Sequence, residues 1–362
     1  MPLLPLKTVL DIDPYKGGES TLPGVAKPIK LASNENPFGA SPKAKEAAIA
    51  AMANTGLYPE GSAAVLRNAL ATRYGLDPGR IVCGAGSDEI FQLLLRAYLG
   101  PGDEIVQSEH AFLMYRIFAR PMGGVVKTAK NEGKRANVDS MLDCVTEKTR
   151  IVFLDNPNNP TGTYLPFSEV RRLHAELPDN VMLVIDAAYA EYVNRNDYSA
   201  GIELAGEAEN VVMTRTFSKI HGLAAMRVGW MYGPASVVDA LNRVRLPFNV
   251  ATPAQAAAAA AIADGAFMEM SARHNEKELE RVSGAIAAMG FEVIPSVGNF
   301  VLAAFPIEKG RTAGDADKHL RSRGIIVRGV AAYGLPDALR ISIGSEAQND
   351  AFLKALGEFA GK

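Results

Sequence analysis

The run Val181-Met182-Leu183-Val184-Ile185 is apolar at every position and ends on an acid, Asp186. A half-solvated strand alternates apolar and polar residues, so a run without alternation needs both faces covered, as in the centre of a parallel sheet flanked by helices. Other short apolar runs, Ile81-Val82-Cys83, Ile105-Val106, Thr149 to Leu154 and Val211-Val212-Met213, alternate with helical stretches such as Ile90 to Leu99 and Ser168 to Glu176. This alternation predicts an α/β chain with a mostly parallel sheet sandwiched by helices. Ligands of such sheets bind beyond the carboxyl ends of the strands.

The chemically pointed residues fall at those ends. A carboxylate such as Asp186, closing a buried strand, is costly unless it faces a positive group. Tyr189 follows three residues later. The strand Thr149 to Leu154 runs into Asp155-Asn156-Pro157-Asn158-Asn159-Pro160-Thr161-Gly162, whose two prolines and glycine predict a rigid loop that holds a side-chain amide in one geometry. Ile81-Val82-Cys83 leads through Gly84-Ala85-Gly86-Ser87-Asp88-Glu89 into a helix, an arrangement that aims backbone N–H groups and a positive dipole end at an anion. The pattern is G-x-G-x-x-E and lacks the third glycine of a dinucleotide fingerprint, so a single phosphate suits the turn better than a pyrophosphate. Val211-Val212-Met213 opens into Thr214-Arg215-Thr216-Phe217-Ser218-Lys219, with Arg227 eight residues beyond the lysine. A lysine between two core strands is either a surface turn residue or an amine meant to lose its charge, and the latter describes a Schiff-base nucleophile. Thr216, Ser218 and Arg227 would together suit a phosphate.

The 362 residues exceed one typical domain, and the patterning predicts an arm over 1–30, a large domain over 31–250 and a smaller α/β domain over 251–362. The arm either lies across another subunit or is a frayed terminus. In the smaller domain Arg340 alternates with Leu339 and Ile341, and an arginine there needs an anion, supplied by a ligand or by a structural ion pair. A net charge of -2 gives no reason to expect nucleic acid or an anionic membrane as partner. Two cysteines, Cys83 and Cys144, cannot build a disulfide framework, no Cys/His spacing suggests a metal, and a reducing cytoplasm fits best. The N-terminus lacks a signal-peptide pattern, and alanine-rich 251–263 reads as a close-packed helix rather than a membrane span.

Thr216 to Arg227 resembles the lysine motif of the fold-type I pyridoxal-phosphate aminotransferases, and Asn156 to Gly162 matches their N-P-x-N-P-T-G signature. Leu31-Ala32-Ser33-Asn34-Glu35-Asn36-Pro37-Phe38-Gly39 and Gly84 to Glu89 have the form found in the histidinol-phosphate branch. The resemblance implies a homodimer in which Lys219 carries pyridoxal 5'-phosphate and then moves protons as base and acid. It implies that Asp186 meets the pyridine nitrogen and that Asn159 and Tyr189 meet the phenolic oxygen. The phosphate would fall to Ala85, Gly86, Ser87, Thr216, Ser218 and Arg227, with Tyr58 reaching it from the neighbouring subunit. Phe112 is either the residue stacked on the ring or core packing. Asn34 and Arg340 would face substrate, Arg340 at its carboxylate or the equivalent end, while Tyr15 would reach the substrate from the arm and Arg328 would help hold its phosphate. The family's usual D-E-A-Y reads Asp186-Ala187-Ala188-Tyr189 here. The implied activity is amino transfer between histidinol phosphate and 2-oxoglutarate. An aromatic aminotransferase is the near alternative, a phosphothreonine decarboxylase of the same fold a more distant one. A non-catalytic cofactor-binding regulator would need a basic DNA-binding domain that this chain lacks.

Overall fold

The computed structural model describes residues 3–15 and 17–361. Across its seven-stranded sheet lie, in order, Ile81–Gly84, Gly229–Tyr232, Val211–Thr216, Met182–Asp186, Thr149–Asp155, Glu104–Ser108 and Val125–Ala129. All neighbours are parallel except Gly229–Tyr232, which runs antiparallel to both strands beside it. The unbroken apolar run of the central strand has the expected cause. Leu183 and Ile185 enter the core on one face of the sheet with Val152, Leu154 and Met213, while Met182 and Val184 enter the core on the other with Ile151, Phe153 and Val212. Burying a leucine-sized side chain contributes roughly 1.5–3 kcal/mol. A polar residue at any of these positions would sacrifice that on one face or the other.

The C-terminal sheet is antiparallel throughout, ordered Arg328–Val330, Leu335–Ser342, Phe300–Ala304 and Glu292–Ile294. Its core takes Ala316 and Leu320 from helix Ala313–Ser322, Phe352 and Leu356 from helix Glu346–Ala360, and Val282 and Ile286 from the far half of helix Gly265–Ala288. Leu31 belongs to this core as well, because Ile29–Lys30 pairs in parallel with Ile325–Ile326. The alanine-rich helix Thr252–Ala263 instead joins the large-sheet core, Ala254, Ala257, Ala258 and Ala261 lying with Ala44 and Ala48 of helix Pro42–Ala51. On that ground we propose that the smaller unit begins within helix Gly265–Ala288 rather than at residue 251, and that residues 29–31 are part of it. Among the described residues no helix is long and apolar enough to cross a membrane.

The chain after Lys219 is held by one close approach. Gly222 sits at φ +65°, its N–H bonded to the Lys219 carbonyl at 2.9 Å, and a Cβ there would lie 1.9 Å from the Gly39 carbonyl oxygen. Only a residue without a side chain permits both. Gly222→Ala is therefore expected to cost at least about 2 kcal/mol of stability and to push the lysine turn away from the segment ending at Gly39. A thermal unfolding curve superimposable on the parent's would contradict this.

Candidate active site

The strand ends, with Ser33 and Glu35, line a cleft of about 180 Å³. Lys219 stands at its centre, its Nζ 3.3 Å from the Ser33 carbonyl oxygen and 5.7 Å from the centroid of the Tyr189 ring. Burial, aided by the positive charges of Arg340 and Arg227 and opposed by Asp88 and Glu35, lowers the amine from 10.5 to about 8. That is the shift an amine needs if it is to attack a carbonyl and move protons near neutral pH.

One wall is an anion cup. Arg227 donates from Nη1 to Ser218 Oγ at 3.2 Å and from Nη2 to Asp88 Oδ2 at 3.3 Å. Ser87, at the N-terminus of helix Ser87–Tyr98, Thr216 and Ser218 line the same wall. Gly86 lets Arg227 in, since a Cβ at Gly86 would lie 2.6 Å from Arg227 Nη2. The glycine turn itself contributes less than its pattern suggests. The Ala85 N–H is bonded to the Glu89 carboxylate and the Gly86 N–H to the Gly84 carbonyl, so neither amide points into the cleft.

The floor is acidic. Asp155 and Asp186 are register partners at the ends of adjacent strands, both buried. Asp186 Oδ2 accepts the Tyr115 O–H at 2.6 Å and Oδ1 the Ala188 N–H at 3.2 Å. Burial raises its carboxyl to about 6 in spite of the Tyr115 bond. Asp155 Oδ2 accepts from the Phe112 N–H, the Asn158 side chain and the Asn159 N–H at 3.2, 2.9 and 3.1 Å, and burial pushes this acid well above the usual carboxylate range. Asp155, Asp88 and Tyr115 escaped the reading of the sequence. Asp155 was open to discovery by the argument applied to Asp186, an acid closing an apolar strand. Tyr115 offers no such signal.

Ser33 and Glu35 also line the cleft, and behind the lining residues Tyr189 and Asn159 the first and last segments of the chain pack through Asn34 and Arg340. Asn34, in the left-handed region at φ 55°, donates from Nδ2 to the Tyr189 hydroxyl at 2.9 Å and accepts the Ser342 hydroxyl at 2.9 Å. The Tyr189 oxygen thus accepts from Asn34 and keeps its own hydrogen to donate. Arg340 is buried, donating to Asn159 Oδ1 and to the Ala32 carbonyl at 2.8 Å, and its Nε has no partner. None of these partners is an anion. Three further candidates lie outside the cleft lining: Tyr58, 82% exposed and stacked on Phe248 at 4.8 Å, and Tyr15, 46% exposed, with the Arg328 guanidinium 5.7 Å from its ring centroid. Ala187 is fully buried in the large-sheet core, where the carboxylate of the D-E-A-Y form would meet apolar side chains.

Lys219 can condense with an aldehyde, the Arg227 cup can take a phosphate, and Asp186 can face a protonated ring nitrogen. Pyridoxal 5'-phosphate carries all three complementary groups on one planar molecule. Comparison with known proteins agrees. Residues 26–356 match the family of class I and II aminotransferases. Histidinol-phosphate aminotransferases of Nitrobacter hamburgensis and Paramagnetospirillum magneticum are 52% and 53% identical over 357 residues, covering 98% and 99% of this chain and 98% of theirs. The solved histidinol-phosphate aminotransferase of Sinorhizobium meliloti, in complex with pyridoxal-5'-phosphate, superposes with a TM-score of 0.90 at 27% identity, over 99% of this chain and 98% of that one. The chain belongs to the class I and II aminotransferase family. It is a pyridoxal-phosphate-dependent transferase that takes an amino donor and a 2-oxo acid.

The lowered amine predicts a pH dependence. Unfolded, Lys219 titrates at 10.5, folded at about 8, so between those values the unfolded chain binds more protons and stability rises with pH. Lys219→Met removes that dependence. The cofactor-free variant is expected to be more stable than the parent at pH 7, with the gap closing as pH rises through 8 to 10.5. Denaturant titrations across this range check it, and a gap independent of pH would contradict it.

Proposed function

We propose that the protein transfers the amino group of histidinol phosphate to 2-oxoglutarate in two half-reactions. The observation that carries this reading is Arg340, a buried guanidinium whose partners are neutral oxygens, together with a second arginine, Arg328, its register partner on the neighbouring strand, which lies beside Tyr15. Tyr333 feels both, its buried phenol pushed up to about 12 by burial against the opposing pull of Arg340 and Arg328. A substrate that presents an anionic group to this pair of arginines answers the arrangement. The names of the relatives at 52% and 53% identity point the same way.

When bound, the cofactor supplies an electrophilic carbon and an electron-withdrawing ring. Ser87, Thr216, Ser218 and Arg227 would hold its phosphate, and Asp186 its ring nitrogen. Asn159 donates from Nδ2, its Oδ1 being taken by Arg340, and Tyr189 donates its hydroxyl hydrogen, both toward the phenolic oxygen. Phe112, whose N–H is anchored on Asp155, covers the ring. Lys219 would serve as the base that takes the proton from the substrate's reacting carbon and as the acid that gives a proton back. Asn34 and Arg340 orient the substrate's near end. The protein works as a homodimer, Tyr58 reaching the neighbour's phosphate across the interface. Its exposed ring and the exposed Leu57, Val65 and Phe248 nearby support an interface there. Free Cys83 and Cys144 accord with the cytoplasm.

Arg328→Ala tests the substrate. Loss of a charged hydrogen bond weakens binding by about ten- to a hundredfold, so the Michaelis constant for histidinol phosphate is expected to rise by that factor while that for phenylalanine barely moves. Equal losses for both would make Arg328 structural and favour an aromatic aminotransferase.

A further inference from the structure

Tyr115 is wholly buried, yet it is neither a strand-end residue nor part of the cleft lining. Its ring is fixed on three sides: stacked on Phe153 at 4.4 Å and edge-on to Phe91 and Phe112 at 5.1 and 5.7 Å. A ring so held has one place for its hydroxyl, and that place is 2.6 Å from Asp186 Oδ2. A buried phenol makes such a bond to satisfy itself, but a phenol–carboxylate bond is also among the stronger neutral-to-charged hydrogen bonds. The carboxylate's other oxygen, bonded to the Ala188 N–H, is left for a ligand in the cleft.

We propose that Tyr115 is a positioning residue for the amino transfer: its O–H claims Asp186 Oδ2, turns Oδ1 toward the ring nitrogen of the cofactor, and keeps the carboxylate ionised so that the proton resides on the ring. The proposal rests on the assignment of Asp186 to that nitrogen. The need for such a device is local. Asp186 lies beside Asp155, with Asp88 adding negative charge and Lys219 opposing it, and burial favours the neutral acid. A neutral Asp186 would compete with the ring for the proton. Donation by Tyr115 biases the shared proton toward the ring, where it makes the ring the better electron acceptor. Phe112 shares this scaffold, so the bond that orients Asp186 also braces the residue covering the ring.

Tyr115→Phe keeps the ring packing and deletes the donor. In holoenzyme carrying ring-¹⁵N-labelled cofactor, the nitrogen resonance is expected to move toward that of an unprotonated ring, and amino transfer from donor to slow by about ten- to a hundredfold with little change in donor binding. Asp186→Asn is the reference. If it moves the resonance and Tyr115→Phe does not, Tyr115 only packs and the proposal is overturned. If Asp186→Asn itself leaves the resonance unmoved, the assignment of Asp186 falls and takes the proposal with it. Should Tyr115→Phe fail to fold, the parent holoenzyme decides. The Tyr115 hydroxyl proton must then resonate downfield, slow to exchange, and shift on Asp186→Asn; no such resonance overturns the proposal.

Discussion

A carboxylate buried at the end of a strand that is covered on both faces has to be matched by positive charge, and the architecture follows from that demand at Asp186. Parallel strands bring the ends of Thr149–Asp155, Met182–Asp186 and Val211–Thr216 to one edge. Water is excluded there by the two cores that make the sheet stable. The low-dielectric setting that raises Asp186 also lowers Lys219, so one constraint prepares an acid for a cationic ring and an amine for nucleophilic attack. Arg227 and Arg340 add positive charge on either side of the lysine, and both depress it further.

Chain from both ends of the sequence packs behind the cleft lining. Asn34 bonds Tyr189 of the large sheet and Ser342 of the C-terminal sheet, while its carbonyl accepts from Asn299 at 3.0 Å. Asn36 adds a bond to the Ile220 carbonyl, one residue past the lysine, at 2.6 Å. A segment of a few residues therefore ties the lysine turn to both cores. This explains why its asparagines are buried although asparagine usually prefers the surface.

Much of this was legible in the sequence. Unalternating apolar runs required a parallel sheet, and acids, amides and a lysine at their ends located the cleft. What escaped depends on side-chain direction over long separations. Tyr115 and Asp186 are 71 residues apart, and no spacing rule joins them. The glycine turn misled in the other direction, since its amides are consumed by Glu89 and Gly84. Helix Thr252–Ala263 has small side chains that carry no periodic signature of what they pack against, yet alanine is what allows it to lie close to Pro42–Ala51. Tyr58 and Tyr15 remain outside the cleft lining of a single chain.

The central claim is that a cofactor held between Lys219 and Asp186 serves a donor that bears a phosphate. Titrating the holoenzyme separately with histidinol phosphate, phenylalanine, tyrosine and glutamate, with the cofactor's visible absorbance as readout, tests it most directly. The account predicts that histidinol phosphate converts the cofactor to its aminated form at the lowest concentration among the aromatic and phosphorylated donors. Conversion by phenylalanine or tyrosine at equal or lower concentration, with histidinol phosphate inert, would contradict it.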